Sequence, residues 1–216
     1  MGTNYLITGT DTGVGKTTVG CALGFALRAR GLRVGVMKPV ETGVEQMPMD
    51  AVALKSVSSA QHSLEMICPF RYKAPLAPAV AAETEGVPLP DLSRIKTLFS
   101  EIAASSDVVL VEGAGGLTVP ITWEANYADL ARELDLQIVL VVANRLGCIN
   151  STLLTLDYAA RRALRVKGFI LNQAQKDDSP AVATNAATLC RLTAVPYLGS
   201  MRYQEPLGLA IVEQFL

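Results

Sequence analysis

The sequence is poor in the residues from which metal-binding and disulfide-rich proteins are built. It has one histidine and four cysteines among 216 residues, and the cysteines form no C-x-x-C pair. These absences argue against a zinc site and against a disulfide framework, and they favour a reducing compartment. We therefore expect a cytoplasmic location.

Charge of either sign is also scarce. Charged residues make up 18% of the chain, the net charge is −1, and no cluster of lysine and arginine occurs. Nucleic acids and anionic membrane surfaces attract basic patches, so neither is an expected partner. No apolar run approaches the length of a membrane span, and no secretory segment opens the chain. The expected ligand is a small molecule.

Hydrophobic residues, by contrast, make up 50% of the chain. This share, with the length, predicts a sizeable core and one α/β domain over residues 1–216. So apolar a composition also predicts that a second subunit covers part of the surface. A homo-oligomer is therefore expected.

The most specific stretch predicts a phosphate-binding loop. It reads Gly9-Thr10-Asp11-Thr12-Gly13-Val14-Gly15-Lys16-Thr17-Thr18. Gly13 and Gly15 allow backbone N–H groups to face phosphate oxygens, Lys16 adds a charge near the β and γ positions, and the Thr17 hydroxyl can ligate Mg²⁺. The first glycine stands one place earlier than the strict motif requires, so a tight turn with a solvated lysine is the alternative.

Strand-like and helix-like segments alternate along the chain. Apolar runs predict strands over 5–7, 33–38, 108–112, 138–142, 166–171 and 197–199. Helical spacing predicts helices over 19–30, 50–58, 92–104, 127–133, 153–163 and 180–192, whereas the proline-punctuated residues 74–90 are expected to be irregular. Continuously apolar strands between helices indicate an α/β fold with a mostly parallel sheet flanked by helices. Ligands of such folds bind at the carboxyl ends of the strands.

Two further strands end in residues with useful chemistry. Lys38 follows the second strand and is either a surface lysine or a cation that neutralises a transferring phosphoryl group. Glu112 closes an apolar strand, where a carboxylate binds Mg²⁺ together with Thr17 or has a purely structural role. Thr42 lies in the loop after Lys38 and can hydrogen-bond a substrate. Asp50 is a second candidate magnesium ligand or a helix N-cap.

Three later positions complete the candidate site. The turn Gly113-Ala114-Gly115-Gly116 permits close approach of backbone to a ligand. Asn172 ends a strand at the position where proteins with this kind of phosphate-binding loop bind the nucleotide base. The Asn-Lys-x-Asp signature of guanine binding is missing, which favours adenine. The turn Gly147-Cys148-Ile149-Asn150 precedes a helix, so it suits a carboxylate or is an ordinary strand-to-helix turn.

Taken together, these motifs resemble the dethiobiotin synthetase family within the P-loop NTPases. The resemblance is carried by residues 9–18, Lys38-Pro39-Val40-Glu41-Thr42-Gly43, residues 111–116, residues 146–150 with Leu153-Leu154-Thr155, and Asn172. It implies a ligase that uses ATP and Mg²⁺ to convert 7,8-diaminononanoate and CO₂ into dethiobiotin, through a carbamate and a carbamic-phosphoric anhydride. It also implies a homodimer whose active sites are shared between subunits.

The resemblance assigns roles residue by residue. Catalytic roles fall to Thr12, Lys16 and Lys38, and magnesium ligation falls to Thr17, Asp50 and Glu112. The implied nucleotide contacts are Gly13, Val14, Gly15, Lys16, Thr17, Thr18, Asp50, Glu112, Gly113, Ala114, Gly115, Asn172 and Gln173. The implied substrate contacts are Thr42, Gly147, Cys148, Ile149 and Asn150. The chain departs from familiar members at Gly13 (Glu in some), at Thr42 (often Ser), and at residues 200–203, which lack a proline.

Two other classes share the strand, loop and helix. A partition-type or metallochaperone-like ATPase switch normally has a second lysine early in the loop, where this chain has threonine or aspartate. The ATP-binding domain of cobyrinic acid synthetases requires a glutaminase domain that 216 residues are too few to hold. Dependence of ATP hydrolysis on a diamine and bicarbonate distinguishes a synthetase from a switch.

Overall fold

A six-stranded parallel sheet forms the centre of the molecule. The structure is a computed structural model that describes residues 3–205 and 208–216. The predicted domain 1–216 therefore includes four residues, 1, 2, 206 and 207, that lie outside the described ones. The strand order β2-β5-β1-β6-β7-β8 is that of an α/β fold, which confirms the predicted fold class.

Strands and helices alternate along most of the chain, except where β2 is followed by β3, α2 by α3 and α4 by α5. The strands are β1 (Tyr5–Gly9), β2 (Val34–Met37), β3 (Val40–Thr42), β4 (Phe70–Tyr72), β5 (Val108–Glu112), β6 (Gln137–Ala143), β7 (Val166–Asn172) and β8 (Tyr197–Met201). The helices are α1 (Lys16–Ala29), α2 (Met49–Val57), α3 (Leu64–Ile67), α4 (Pro78–Glu85), α5 (Leu92–Ala104), α6 (Tyr127–Glu133), α7 (Cys148–Arg161), α8 (Pro180–Leu192) and α9 (Leu209–Glu213).

Helices cover both faces of the sheet because its inner strands are apolar on both sides. On β1, Tyr5 and Ile7 pack in one core cluster with α1 and α2, whereas Leu6 packs in the opposite cluster with α5 and α6. Strand β5 is buried along its whole length. A parallel sheet buried on both faces is the arrangement that continuous apolar runs predict.

Several segments differ from the prediction; the short helices α3 and α9 were not predicted, and α1 begins at Lys16, three residues before the predicted Val19. Residues 74–90 are not irregular throughout, because α4 forms within them, with Pro78 in its first turn and Gly86 at its C-cap in the left-handed region (φ 63°). Proline fits a helix start and glycine fits a helix end, so here the same residues delimit a helix. Helix α7 begins at Cys148, five residues before the predicted Leu153. Strands β3 and β4, which form a separate parallel pair, were not predicted.

The sheet order determines where the candidate residues meet. Strand β5 lies between β2 and β1, so the loops that follow these three strands leave the same edge side by side. Those loops carry the glycine-rich stretch after Gly9, Lys38 after Met37, and Glu112 at the end of β5. Within the described residues, no helix has the length and apolar character needed to cross a membrane.

Candidate active site

The loop between β1 and α1 has the backbone geometry of a phosphate-binding loop. Gly13 and Gly15 adopt φ angles of 74° and 88°, in the left-handed region that favours glycine. Gly15 is the N-cap of α1, so no N-cap side chain bonds to the first N–H groups of the helix. These N–H groups and the positive end of the helix dipole are therefore available to an anion.

Lys16 lies inside this loop and is 7% exposed. Its ammonium donates a hydrogen bond to the Asp11 backbone carbonyl at 3.2 Å. Burial and the neighbouring Lys38 ammonium lower the pKa of Lys16, and the carboxylates of Glu112 and Asp50 only partly oppose this shift. A polyanion bound in the loop stabilises the charged form of such a lysine.

The sequence left open whether Lys38 is a surface lysine, and in the structure it is buried. It is 3% exposed, and its Nζ lies 2.8 Å from Asp50 Oδ2 and 2.6 Å from Glu112 Oε1. Burial lowers the pKa of Lys38, but the two carboxylates outweigh burial and the net pKa is raised. The side chain is therefore a fixed cation beside the phosphate-binding loop.

Oxygen donors from three elements meet beside Lys38. The Thr17 hydroxyl lies 2.9 Å from both Asp50 Oδ1 and Glu112 Oε1. Glu112 is 1% exposed, and its Oε2 is buried without a hydrogen-bond partner. Burial opposes ionisation of Asp50, but Lys38 and Thr17 hold its pKa below the ordinary value. Two carboxylates and a hydroxyl suit Mg²⁺, which prefers oxygen ligands.

These oxygens fit a magnesium ion better than a transition metal. The three donors are all oxygen atoms, whereas transition-metal sites usually include histidine nitrogen or cysteine sulfur. The buried Glu112 Oε2 lacks a partner, and buried polar atoms are rarely left so. Thr17, Asp50 and Glu112 would hold the ion, which would supply positive charge next to transferring phosphoryl oxygens.

The backbone of Asp50 is held by Glu41, a residue to which the sequence analysis assigned no role. Asp50 is in the first turn of α2, but the N-cap of that helix is Pro48, so Asp50 is not the N-cap that the sequence allowed. The Glu41 carboxylate instead accepts hydrogen bonds from the backbone N–H groups of Asp50 (3.0 Å) and Ala51 (2.9 Å). No side-chain pattern in the sequence marks this contact, because the partners of Glu41 are backbone N–H groups.

A cavity of about 690 Å³ joins these groups. The predicted residues along its wall are Thr12, Gly13, Gly15, Lys16, Thr17, Thr18, Lys38, Thr42, Asp50, Glu112, Ala114 and Gly115. The segment Pro75–Pro78, for which no role was predicted, forms another part of the wall. Twelve predicted residues thus share one space large enough for a triphosphate and a small substrate.

Two predicted nucleotide contacts, Val14 and Gly113, do not line this cavity. Val14 has a side chain that is 1% exposed and belongs to the core. At Gly113, an added Cβ would lie 3.2 Å from the ring of Tyr127, which is fully buried. A glycine at this position therefore allows the turn after β5 to lie close to Tyr127.

The predicted base-binding residues lie beyond the loop. Asn172 is 3% exposed, and its side-chain N–H group donates to the Val14 carbonyl at 2.8 Å. This hydrogen bond ties the end of β7 to the phosphate-binding loop, so contact between Asn172 and a base stays a prediction. Gln173 borders a separate cavity of about 730 Å³, together with Tyr197 and Arg202.

The turn at the start of α7 lies apart from the 690 Å³ cavity and does not line it. Gly147 has φ 91° and, with Asn150, is exposed, whereas Cys148 is buried. Burial raises the pKa of the Cys148 thiol. Ile149 packs against a core cluster. Within one chain, therefore, the predicted carboxylate-binding turn and the phosphate-binding loop do not form one pocket.

The sequence is similar to several proteins of known family. A family model described as an AAA domain matches residues 3–209. The chain is 46% identical to the ATP-dependent dethiobiotin synthetase BioD of Anaeromyxobacter dehalogenans over 204 residues, which cover 94% of this chain and 87% of the relative. It is 38% identical to the protein of that name from Thermodesulfovibrio yellowstonii, over 94% of this chain and 90% of the relative.

Solved structures with the same fold are more distant in sequence. A plasmid partition protein from Borrelia burgdorferi has a TM-score of 0.63 at 12% identity, covering 99% of this chain and 97% of that one. The cell division ATPase MinD from Pyrococcus furiosus has a TM-score of 0.56 at 19% identity, covering 99% of this chain and 89% of that one. At such identities the likeness concerns the fold alone.

Proposed function

The chain belongs to the family of ATP-dependent dethiobiotin synthetases, which are ligases of biotin biosynthesis, and we propose that the 690 Å³ cavity is its active site. ATP and Mg²⁺ are the cofactors of this family, and its substrates are small molecules. The observation that supports the assignment is the convergence of two buried lysines and two carboxylates beside a glycine-rich helix start. We further propose one ligase domain over residues 1–216 and a cytoplasmic location.

The proposed reaction has three steps. One amine of 7,8-diaminononanoate adds to CO₂ and forms a carbamate. A carbamate oxygen attacks the γ-phosphorus of ATP, so that the bond to the bridging oxygen breaks, ADP leaves and a carbamic-phosphoric anhydride forms. The second amine then attacks the anhydride carbonyl, which closes the ureido ring and expels phosphate.

The protein contributes position and charge to these steps. Lys16 and the N–H groups of the loop hold the phosphates, and Lys38 faces the oxygens shared by the carbamate and the transferring group. Thr12 and Thr42, on the cavity wall, donate hydrogen bonds on the substrate side. Thr17, Asp50 and Glu112 would hold Mg²⁺, which would neutralise developing negative charge. No side-chain nucleophile is required.

ATP hydrolysis is expected to depend on both co-substrates. Purified protein with Mg²⁺ and ATP should release ADP and phosphate rapidly only when 7,8-diaminononanoate and bicarbonate are present, since the carbamate is the attacking nucleophile. Product analysis by mass spectrometry should detect dethiobiotin in the same mixture. Lys16→Ala protein serves as the control for contaminating ATPase.

The same assay tests the partition-type switch, whose fold this chain shares. A switch hydrolyses ATP without a diamine, and its rate responds to a protein partner. Vigorous turnover in the absence of diamine would therefore contradict the synthetase mechanism. The cobyrinic acid synthetase alternative would require ammonia released from glutamine instead of a diamine.

We propose that the active form is a homodimer with shared sites. Two large apolar side chains in and just before α7 are exposed: Leu146 is 85% exposed and Leu154 is 61% exposed. If these side chains form a contiguous apolar patch, that patch would suit an interface between subunits. In the proposed dimer, the turn from Gly147 to Asn150 binds the substrate carboxylate in the active site of the neighbouring subunit.

Complementation between two inactive variants tests the shared site. Lys16→Ala removes the phosphate clamp, and Gly147→Pro disrupts the turn, because proline cannot adopt the φ of 91° found there. In a heterodimer one site carries both defects and the other carries none. Random pairing makes about half of the dimers heterodimers, so about a quarter of the native activity should return after co-refolding.

The result depends on both variants folding and pairing. Circular dichroism and size-exclusion chromatography of each variant alone provide that control. If the mixture contains heterodimers, detected by two affinity tags, and yet stays inactive, the site is built within one chain.

A further inference from the structure

The start of helix α2 has an unusual source of stabilisation. The first N–H groups of a helix have no partner within the helix and usually bond to a side chain at the N-cap. Here the N-cap is Pro48, which has no hydrogen-bonding side chain. The Glu41 carboxylate, which lies nine residues before Asp50 in sequence, supplies the two bonds instead.

The two bonds use both oxygens of the carboxylate. Oε1 accepts from Asp50 N at 3.0 Å, and Oε2 accepts from Ala51 N at 2.9 Å. Glu41 is 7% exposed and belongs to β3, which pairs with β4, so its own backbone is held in a sheet. The negative charge also faces the positive end of the α2 dipole. The helix start is thereby fixed to a rigid element.

Asp50 is the residue that this arrangement holds. Its side chain is 42% exposed, and its contacts are to the cation and hydroxyl of the site, namely Lys38 Nζ at 2.8 Å and Thr17 Oγ1 at 2.9 Å. A half-exposed carboxylate on the first turn of a short helix moves with the helix terminus when the terminus frays. Anchoring the backbone N–H of Asp50 itself restricts that motion.

We propose that Glu41 is a positioning residue that holds Asp50 in the geometry required to bind Mg²⁺. The inference rests on the proposed role of Asp50 as a magnesium ligand. Glu41 lines the cavity, but both of its oxygens are occupied by α2, so it acts through Asp50 rather than on the ligand. A metal site needs ligands held within a few tenths of an ångström, and residues behind the ligands provide this precision.

The test is a titration of Mg²⁺ into protein saturated with the non-hydrolysable analogue AMPPNP, followed by calorimetry. Glu41→Ala should weaken Mg²⁺ binding about fivefold or more, the scale of losing a helix cap. Glu41→Gln retains one oxygen that can accept one N–H, so its affinity should lie between those of the native protein and Glu41→Ala. At saturating Mg²⁺, the kcat of Glu41→Gln should return close to the native value.

Two further variants separate the possible causes. Glu45→Ala removes an exposed negative charge from the segment between β3 and α2 and should leave Mg²⁺ affinity unchanged. Asp50→Asn should weaken Mg²⁺ binding directly. Amide hydrogen exchange provides a readout that needs no metal: the amides of Asp50 and Ala51 should exchange faster in Glu41→Ala and, less strongly, in Glu41→Gln.

The outcomes are distinguishable. If Asp50→Asn weakens Mg²⁺ binding but neither Glu41 variant does, the positioning role of Glu41 is wrong and the proposed metal site stands. If Asp50→Asn binds Mg²⁺ normally, the proposed ligand assignment is wrong, and the positioning role is lost with it. If Glu41→Gln equals Glu41→Ala in both affinity and exchange, charge rather than the hydrogen bonds is responsible, which also overturns the proposal. Should Glu41→Ala fail to fold, Glu41→Gln and Glu45→Gln form the matched pair.

Discussion

Lys38→Ala protein is expected to lose about a hundredfold or more in kcat, because a fixed positive charge at the transferring group is removed. Lys38 is 3% exposed and lies between Asp50 and Glu112, so a mobile lysine on the surface cannot replace its charge in the variant. The KM for ATP should change much less than kcat, since Lys16 and the loop backbone still hold the phosphates. Steady-state kinetics with varied ATP and diamine measure both quantities.

Stability must be measured alongside the rate. Lys38→Ala leaves Glu112, which is 1% exposed, without its counter-charge, so the melting temperature should fall in the absence of Mg²⁺. Mg²⁺ with AMPPNP should restore much of it, because the ion supplies positive charge to the same carboxylates. Lys55→Ala, on the helix that carries Asp50, is the matched control and should keep native rates. Near-native turnover of folded Lys38→Ala would show that Lys38 has no role in the reaction.

Gly15→Ala protein is expected to lose nearly all affinity for ATP, by about a hundredfold or more. Gly15 has φ 88°, where a side chain costs about 1–2 kcal/mol, or roughly 5- to 30-fold in binding. A Cβ at this position would also overlap the side-chain nitrogen of Asn172, which donates to Val14 O. The loop must then move away from its phosphate-binding geometry. Equilibrium binding of a fluorescent ATP analogue measures the loss.

Gly13→Ala separates the two causes. Gly13 has a similar φ of 74°, but no atom lies within 4 Å of a Cβ placed there. This variant should therefore suffer only the backbone cost and bind ATP markedly better than Gly15→Ala. Adding Asn172→Ala to Gly15→Ala should recover part of the affinity, because the overlapping atoms are removed. Equal losses in Gly13→Ala and Gly15→Ala would contradict the role of the overlap.

The fold could be predicted because local sequence patterns indicate most of its strands and helices, and tertiary contacts do not override those patterns. The run Val108-Val109-Leu110-Val111 is apolar throughout, and such strands fit a parallel sheet covered on both faces. The pair β3 and β4 escaped prediction because each strand has three residues, too few to show any periodicity. Helix α4 escaped because proline and glycine mark helix ends and loops alike.

Residues of the candidate site could be predicted when they stand at or directly after the end of an apolar strand. Lys38 and Glu112 could be named for that reason, but whether Lys38 was buried depended on the neighbouring strands. Glu41 could not be found, because its partners are backbone N–H groups and leave no trace in side-chain patterns. The bond from Asn172 to Val14 crosses 158 positions, and sequence spacing carries no information about such a contact.

The strand order also has a consequence for how the chain acquires function. Lys38 and Glu112 are 74 positions apart, Thr17 and Glu112 are 95 apart, and they meet only because β5 inserts between β2 and β1. Such a high contact order delays folding, because long loops must close before these contacts stabilise the chain. A nascent chain on the ribosome therefore cannot assemble the proposed magnesium site before β5 has emerged. Nucleotide binding should accordingly appear late in refolding, together with the last cooperative step rather than with early helix formation.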